Sequence, residues 1–251
     1  MEEMGRVLIL SDVHANLAAL EAVLSHAEAG GPIEEIWCLG DMVGYGPQPR
    51  ECLARLRELG AICLVGNHDL AAIGQISTQD FNPAAAAAAR WTQSQLTSEE
   101  KEYLSSLEEV IVKGPFTMVH GTLRWPIWEY LYSHEAARAH LERQKTPFSL
   151  VGHTHIPMLV VEEPNLPEGC QLFYLPDGLN VTLESFRRLV INPGGVGQPR
   201  DGDPRASYAI YDSERGTVTV HRVEYDIART QRLMAQAGLP RWLIERLSVG
   251  R

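Results

Sequence analysis

Six short apolar runs punctuate the chain, and each stops at polar residues. Val7 to Leu10 ends at Ser11-Asp12, Ile36 to Leu39 at Gly40-Asp41, and Ile62 to Val65 at Gly66-Asn67-His68-Asp69. Phe116 to Val119 ends at His120-Gly121, Phe148 to Val151 at Gly152-His153-Thr154-His155, and Leu189 to Ile191 at Asn192-Pro193-Gly194. Short continuous apolar runs of this kind predict strands buried on both faces. Between the early runs lie helical patterns. Leu17, Leu20, Val23 and Leu24 share one face behind Asn16, which is placed to cap the helix, and Cys52, Leu53, Leu56 and Leu59 mark a second face. Strand, polar turn, helix, strand is the grammar of an α/β fold with parallel pairing in its first half, where ligands collect at the carboxyl ends of strands.

From about residue 70 to 107 the pattern predicts an inserted helical segment. Asn82 is its N-cap, Pro83 its first helical residue, and the run Ala84 to Ala89 follows. Thr97-x-x-Glu100 has capping-box spacing and predicts another helix start. Two roles suit this insertion, a lid beside the site or a packing layer on the surface. After Ile156 come Leu159 to Val161, Gln171 to Leu175, Leu189 to Ile191, Tyr208 to Tyr211 and Val218 to Val223, broken by turns, which predicts a second, more antiparallel sheet. The tail from Asp226 to Leu247 predicts two short helices broken at Gly238-Leu239-Pro240.

Length and composition narrow the picture. At 251 residues and 45% hydrophobic, with no internal repeat or low-complexity linker, the chain is expected to fold as a single domain over residues 1–251. A formal net charge of -10 argues against extended nucleic acid or an anionic membrane as partner. It leaves room for a local cationic site, because bound metal ions escape such counts. The opening Met1-Glu2-Glu3 is acidic where a secretory signal is basic, and no stretch approaches the roughly 18 apolar residues of a membrane span. The expected location is cytoplasmic. Cys38, Cys52, Cys63 and Cys170 form no C-x-x-C pair and are expected to be small core residues in a reducing compartment.

The strand ends carry Asp12, His14, Asp41, Asn67, His68, Asp69, His120, His153 and His155, almost purely oxygen and imidazole donors. Such donors suit Mn, Fe, Zn or Co, and the lack of cysteine among them argues against a structural thiolate zinc site. Two ions sharing a carboxylate would form the arrangement that clamps attacking and leaving oxygens in displacement at phosphorus. The four other histidines, His26, His134, His140 and His221, lie outside these phrases and are expected to be ordinary helix or strand residues.

Asp12-x-His14, Gly40-Asp41, Gly66-Asn67-His68-Asp69, His120 and Gly152-His153-x-His155 occur in this order and resemble the five signature blocks of the calcineurin-like metallophosphoesterase family. The loop Asn192-Pro193-Gly194-Gly195-Val196-Gly197-Gln198-Pro199-Arg200 further resembles one found in small prokaryotic phosphoesterases of that family. The resemblance implies a four-layer αββα sandwich of two mixed sheets flanked by helices. It implies one divalent metal on Asp12, His14, Asp41 and His155, and a second on Asp41, Asn67, His120 and His153, with manganese first and Fe, Zn, Ni or Co as alternatives. It also implies hydrolysis of a small phosphate mono- or diester by a hydroxide bridging the two ions, with His68 at the leaving group and Asp69 orienting its ring.

Protein serine/threonine phosphatases and dinucleoside tetraphosphatases of the family extend the second block with an Asp-Arg-Gly that supplies a phosphate-binding arginine. Met42-Val43-Gly44-Tyr45 follows Asp41 here, so Arg200 becomes the substitute candidate for substrate binding. A protein or nucleotide phosphatase and a non-catalytic scaffold on the same fold are the competing expectations.

Overall fold

The computed structural model describes residues 5–251, so the acidic opening Met1-Glu2-Glu3 lies outside the described residues. In chain order the strands are β1 (Arg6–Leu10), β2 (Glu35–Cys38), β3 (Ile62–Cys63), β4 (Val110–Lys113), β5 (Phe116–Val119), β6 (Phe148–Leu150), β7 (Pro157–Glu162), β8 (Cys170–Tyr174), β9 (Asn180–Thr182), β10 (Leu189–Pro193), β11 (Ala206–Asp212) and β12 (Thr217–Val223). The helices are α1 (Leu17–Ala29), α2 (Pro49–Glu58), α3 (Asn67–Ala72), α4 (Pro83–Gln95), α5 (Ser98–Ser105), α6 (His134–Arg143), α7 (Ile227–Gln236) and α8 (Arg241–Glu245). All six apolar runs become strands, and helix starts fall where the caps predict. The side chains of Asn16, Asn82 and Thr97 accept hydrogen bonds from the N–H groups of Ala19, Ala85 and Glu100.

The strands form two six-stranded mixed sheets, ordered β3-β2-β1-β11-β12-β9 and β4-β5-β6-β10-β7-β8. Alternation along each strand builds the layers. Val7 and Ile9 of β1 meet Phe116, Met118, Leu150 and Ile191 in the core between the sheets. Leu8 and Leu10 point the other way, against Leu20, Val23, Leu53 and Leu56 of α1 and α2. The outer face of the second sheet, with Val119, Val151 and Val190, is covered by Ala137 and Leu141 of α6. Helix, sheet, sheet, helix is the resulting order, and it explains why these strands are mostly apolar on both faces, with only the small Thr117 and Ser149 as polar interruptions in β5 and β6.

One sequence expectation is corrected here. The late strands do not make a sheet of their own: β7, β8 and β10 join the second sheet, whereas β9, β11 and β12 extend the first, with β11 antiparallel to β1. Three elements also went unforeseen, the edge strands β4 and β9 and helix α6, whose buried face is mostly alanine.

The insertion packs through Ala85 and Ala88 of α4 against Tyr45 and against Met234, Leu243 and Leu247 of the tail. It therefore serves as a packing layer, while the segment before α4 reaches the functional site described below. No helix among the described residues is long and apolar enough to cross a membrane.

Candidate metal centre

The carboxyl ends of β1, β2, β3, β5 and β6 converge, and every strand-end donor of the sequence comes with them. Asp12, His14 and His155 bring one ligand atom each within 4.8 Å of one another, and so do Asp41, His120 and His153. Asp41 Oδ2 lies between the groups, 3.7 Å from His14 Nε2 and 3.3 Å from His120 Nε2. His155 Nε2 is 3.1 Å from Asp12 Oδ1.

Backbone strain marks the same residues. Among the described residues seven non-glycine positions have a left-handed φ, and five of them are Asp12, His14, Asp41, His153 and His155. Each costs about 1 kcal/mol or more and persists because surrounding contacts fix it. Gly66 shows how tight the fit is, since a Cβ there would sit 2.1 Å from Asp41 Oδ1.

The carboxylates and imidazoles of both triads each commit one atom to the protein and turn the other inward. Asp12 Oδ2 accepts from the Ser11 hydroxyl at 2.6 Å and the His153 N–H at 3.1 Å, and Asp41 Oδ1 accepts from the His68 N–H at 2.8 Å. Asp12 Oδ1, Asp41 Oδ2 and Asn67 Oδ1 are buried with no hydrogen-bond partner. The histidines behave alike. His14 Nδ1 faces the carbonyl of Val43 at 3.0 Å, His120 Nδ1 that of Leu39 at 2.8 Å, His153 Nε2 that of Trp128 at 3.2 Å, and His155 Nδ1 that of Gln198. A carbonyl only accepts, so the proton of each neutral ring sits on that outer nitrogen and a lone pair faces inward. His14 Nε2 then meets His155 Nε2 at 3.2 Å as a pair of acceptors, while His120 Nε2 lies 3.1 Å from His153 Nδ1.

Lone pairs opposed at hydrogen-bond distance, among inward carboxylate oxygens, form a set of donors that could hold a metal ion. The protonation states agree. Burial pushes His14, His153 and His155 down, His153 to about 3. Burial opposes ionisation of Asp12 and Asp41, but the charge and hydrogen bond of the imidazole beside each, His155 at Asp12 and His120 at Asp41, hold both below the usual carboxylate range. Burial also pulls His120 down, yet the charge and hydrogen bond of Asp41 and the charge of Asp12 raise it to about 9, so with no cation beside it this ring holds a second proton on the Nε2 that faces Asp41 Oδ2.

His68 stands beside this cage with its ring 4.3 Å from that of Tyr45 and 4.9 Å from that of Phe81. Asp69 does not orient that ring, as the family resemblance implied. Its Oδ2 accepts from the N–H groups of Asp41 at 2.9 Å and Gly66 at 3.0 Å, and its Oδ1 from Val43 at 3.0 Å, while His68 Nδ1 has no partner. Burial, then the charge of Asp41, pushes Asp69 up to about 7 against the pull of those donors. The carboxylate ties the Asp41 loop to the start of α3, so it positions Asp41 rather than His68. Asp69→Ala strands these three buried N–H groups, and chemical unfolding is expected to show a loss of about 3 kcal/mol or more at unchanged m-value. Asp69→Asn keeps one acceptor oxygen and is expected to lose less than Asp69→Ala; equal stability of wild type and Asp69→Ala would contradict the positioning role.

Arg200 lies on the loop after β10, its guanidinium 3.0 Å from Gln198 Oε1 and 5.7 Å from the centre of the Tyr45 ring, with Nε buried and unpartnered. The structure adds residues that the sequence did not single out. Ser11 donates to Asp12, Tyr45 packs on His14 and His68, and Tyr130 stacks on His153 at 3.9 Å. Ser11 is legible in retrospect as the first polar residue after β1. Nothing near Tyr130 in the sequence sets it apart.

Comparison with known proteins yields one family model, described as Calcineurin-like phosphoesterase superfamily domain, over residues 6–216. A crystal structure of a metallophosphoesterase from Sphaerobacter thermophilus is 50% identical, covers 98% of this chain and 99% of that one, and superposes with a TM-score of 0.89. An uncharacterized protein of Methanocaldococcus jannaschii is 39% identical over 98% of both chains. The symmetrical bis(5'-nucleosyl)-tetraphosphatase of Psychromonas ingrahamii is 39% identical over 64 residues, 25% of this chain and 23% of that protein.

Proposed function

From the premise that this chain belongs to the calcineurin-like phosphoesterase superfamily, a group of hydrolases, we propose that it hydrolyses a small phosphate mono- or diester with two divalent cations. The observation that carries this reading is the pair of donor triads with Asp41 Oδ2 between them and the inward oxygens of Asp12, Asp41 and Asn67 buried together. Asp12, His14 and His155 would hold one cation, His120, His153 and Asn67 the other, and Asp41 both. Oxygen and imidazole donors favour manganese, with Fe, Zn, Ni or Co as alternatives. When bound, such cations act as Lewis acids on a phosphoryl oxygen and lower the pKa of water towards ~7.

The chain's own residues do the rest. Asp12 and Asp41 set the charge of the cage, and two carboxylates against two divalent cations leave it cationic enough to attract phosphate. Asn67, a neutral donor, avoids cancelling that field. The four backbone carbonyls behind the histidines fix tautomer and ring plane, so that no reorientation is needed as substrate enters. His68 donates towards the leaving oxygen, and Arg200, with its free Nε, takes a non-bridging phosphate oxygen.

A scaffold would have no use for a complete donor set held in strained backbone. The missing Asp-Arg-Gly after Asp41 speaks against a protein phosphatase, and the acidic balance against polynucleotide. Four free, buried cysteines fit a cytoplasmic placement. Chelator-stripped protein resupplied with Mn, Co, Ni or Zn is expected to release p-nitrophenol from p-nitrophenyl phosphate or its bis ester, and stripped protein to be inactive. Failure on both esters with every metal overturns the reading.

A further inference from the structure

Beside the cage lies a cavity of about 230 Å³ whose floor is Asn67, His68 and His153. Its walls are aromatic. Phe81, from the insertion, stands perpendicular to Trp128 with ring centres 6.0 Å apart, and Tyr130 lies flat on His153 at an angle of 7°. Trp128 and Tyr130 keep 40% and 43% of their surface exposed, although both come from a loop that buries Ile127 and Leu131. Large rings left open around a cavity that touches the candidate centre form a surface that a ligand completes.

The charge of this cavity identifies which part of the ligand enters it. Asp80 is the one acidic residue of its lining, which disfavours a second phosphate there, whereas Arg200 packs on the lining residue Tyr45 without itself lining the cavity. The aromatic walls and the acidic group together favour a flat occupant that carries no phosphate of its own. We propose that this cavity receives a nucleobase carried on the ester to be cleaved, and that Phe81, Trp128 and Tyr130 are specificity-determining residues for a nucleotide substrate. The inference rests on the phosphoesterase reading and adds the half of the substrate that the cation cage does not see. It also gives the insertion a second role, since Asp80 and Phe81 arrive through the segment between α3 and α4.

The test compares adenosine 5'-monophosphate with ribose 5-phosphate, which share the same phosphorylated primary hydroxyl and differ by the base. Calorimetry on the manganese-loaded protein is expected to show the nucleotide binding tenfold or more tighter, because stacking of one base contributes about 1–3 kcal/mol. That ratio is expected to fall towards 1 in Trp128→Ala and in Phe81→Ala. Equal affinities in the wild type, no detectable nucleotide binding, or a ratio that survives both substitutions would overturn the proposal. Trp128 is half-exposed and its carbonyl contact to His153 is backbone, so its variant retains the fold if Phe81→Ala does not. Both ligands are used as their methylenephosphonate analogues, in which CH2 replaces the bridging oxygen, so affinity is read without turnover. A protein that cleaves no ester but prefers the nucleotide sinks the phosphoesterase reading alone, and one that cleaves esters with equal affinities sinks the base pocket alone.

Discussion

Asp41→Asn is expected to lower kcat/KM by about a thousandfold or more, and to cut bound divalent metal from two ions per chain towards one. The substitution is chosen because it preserves shape. Asp41 Oδ1 accepts the His68 N–H at 2.8 Å, and the amide oxygen of asparagine can continue to do so. What changes is the other atom. Oδ2 stands 3.3 Å from His120 Nε2 and 3.7 Å from His14 Nε2, and in the variant an NH2 group occupies that place. Its protons point at the imidazole lone pairs and partner them, so the cage closes without a cation.

The same substitution removes a carboxylate that the fold holds ionised, its pKa kept below the usual range against burial chiefly by His120. The midpoint of chemical unfolding of the metal-free protein at pH 7 is therefore expected to fall modestly, by far less than the collapse of activity. A variant that keeps two metals and wild-type turnover would show that Asp41 is not shared. One that loses its fold along with its activity would show that the shape argument is wrong.

The depth to which the sequence could be read follows from where information sits along the chain. A strand buried on both faces must be apolar throughout, and the polar residue that ends it is conspicuous. Asp12, Asp41, Asn67, His120 and His153 were legible because each interrupts such a run, and the structure brings all five to one place. Sheet membership was not legible. Tyr208 to Tyr211 is buried on both sides whether its strand pairs with β1 or with a later strand, and the choice depends on contacts two hundred residues apart. The role of Asp69 was obscured for a related reason. Adjacency to His68 suggested contact, but successive residues of a helix point about 100° apart, and Asp69 turns to the backbone of Asp41 and Val43. Tyr130 and Trp128 lie on an irregular loop with no periodicity to interpret, so only coordinates reveal that they wall a cavity.

His68 poses the last question, whether it gives the leaving oxygen a proton or only a hydrogen bond. Burial first, and then Arg200, His155 and His120, push its pKa down to about 4 against the pull of Asp41. Any bound cation moves it further the same way. The sign follows directly: a ring with a depressed pKa is neutral above about 4, and the imidazolium fraction falls tenfold with each further pH unit. Nδ1 is buried against Gly44 with no partner, so the Nε2 edge is the one the cavity can reach. The geometry thus supports a neutral N–H donor aimed at the departing oxygen.

His68→Asn is expected to lose about a hundredfold to a thousandfold in kcat for an alkyl ester, the range for removal of one preorganised donor. The loss is expected to be smaller for p-nitrophenyl esters, whose leaving group needs less stabilisation. The decisive quantity is the ratio of wild-type to variant kcat/KM as a function of pH, which reports the free enzyme and cancels the titration of substrate and metal site. A neutral donor makes that ratio flat between pH 6 and 9. A general acid with the pKa of this buried ring makes it fall tenfold per unit over the same range, and that slope would return His68 to the role of proton donor.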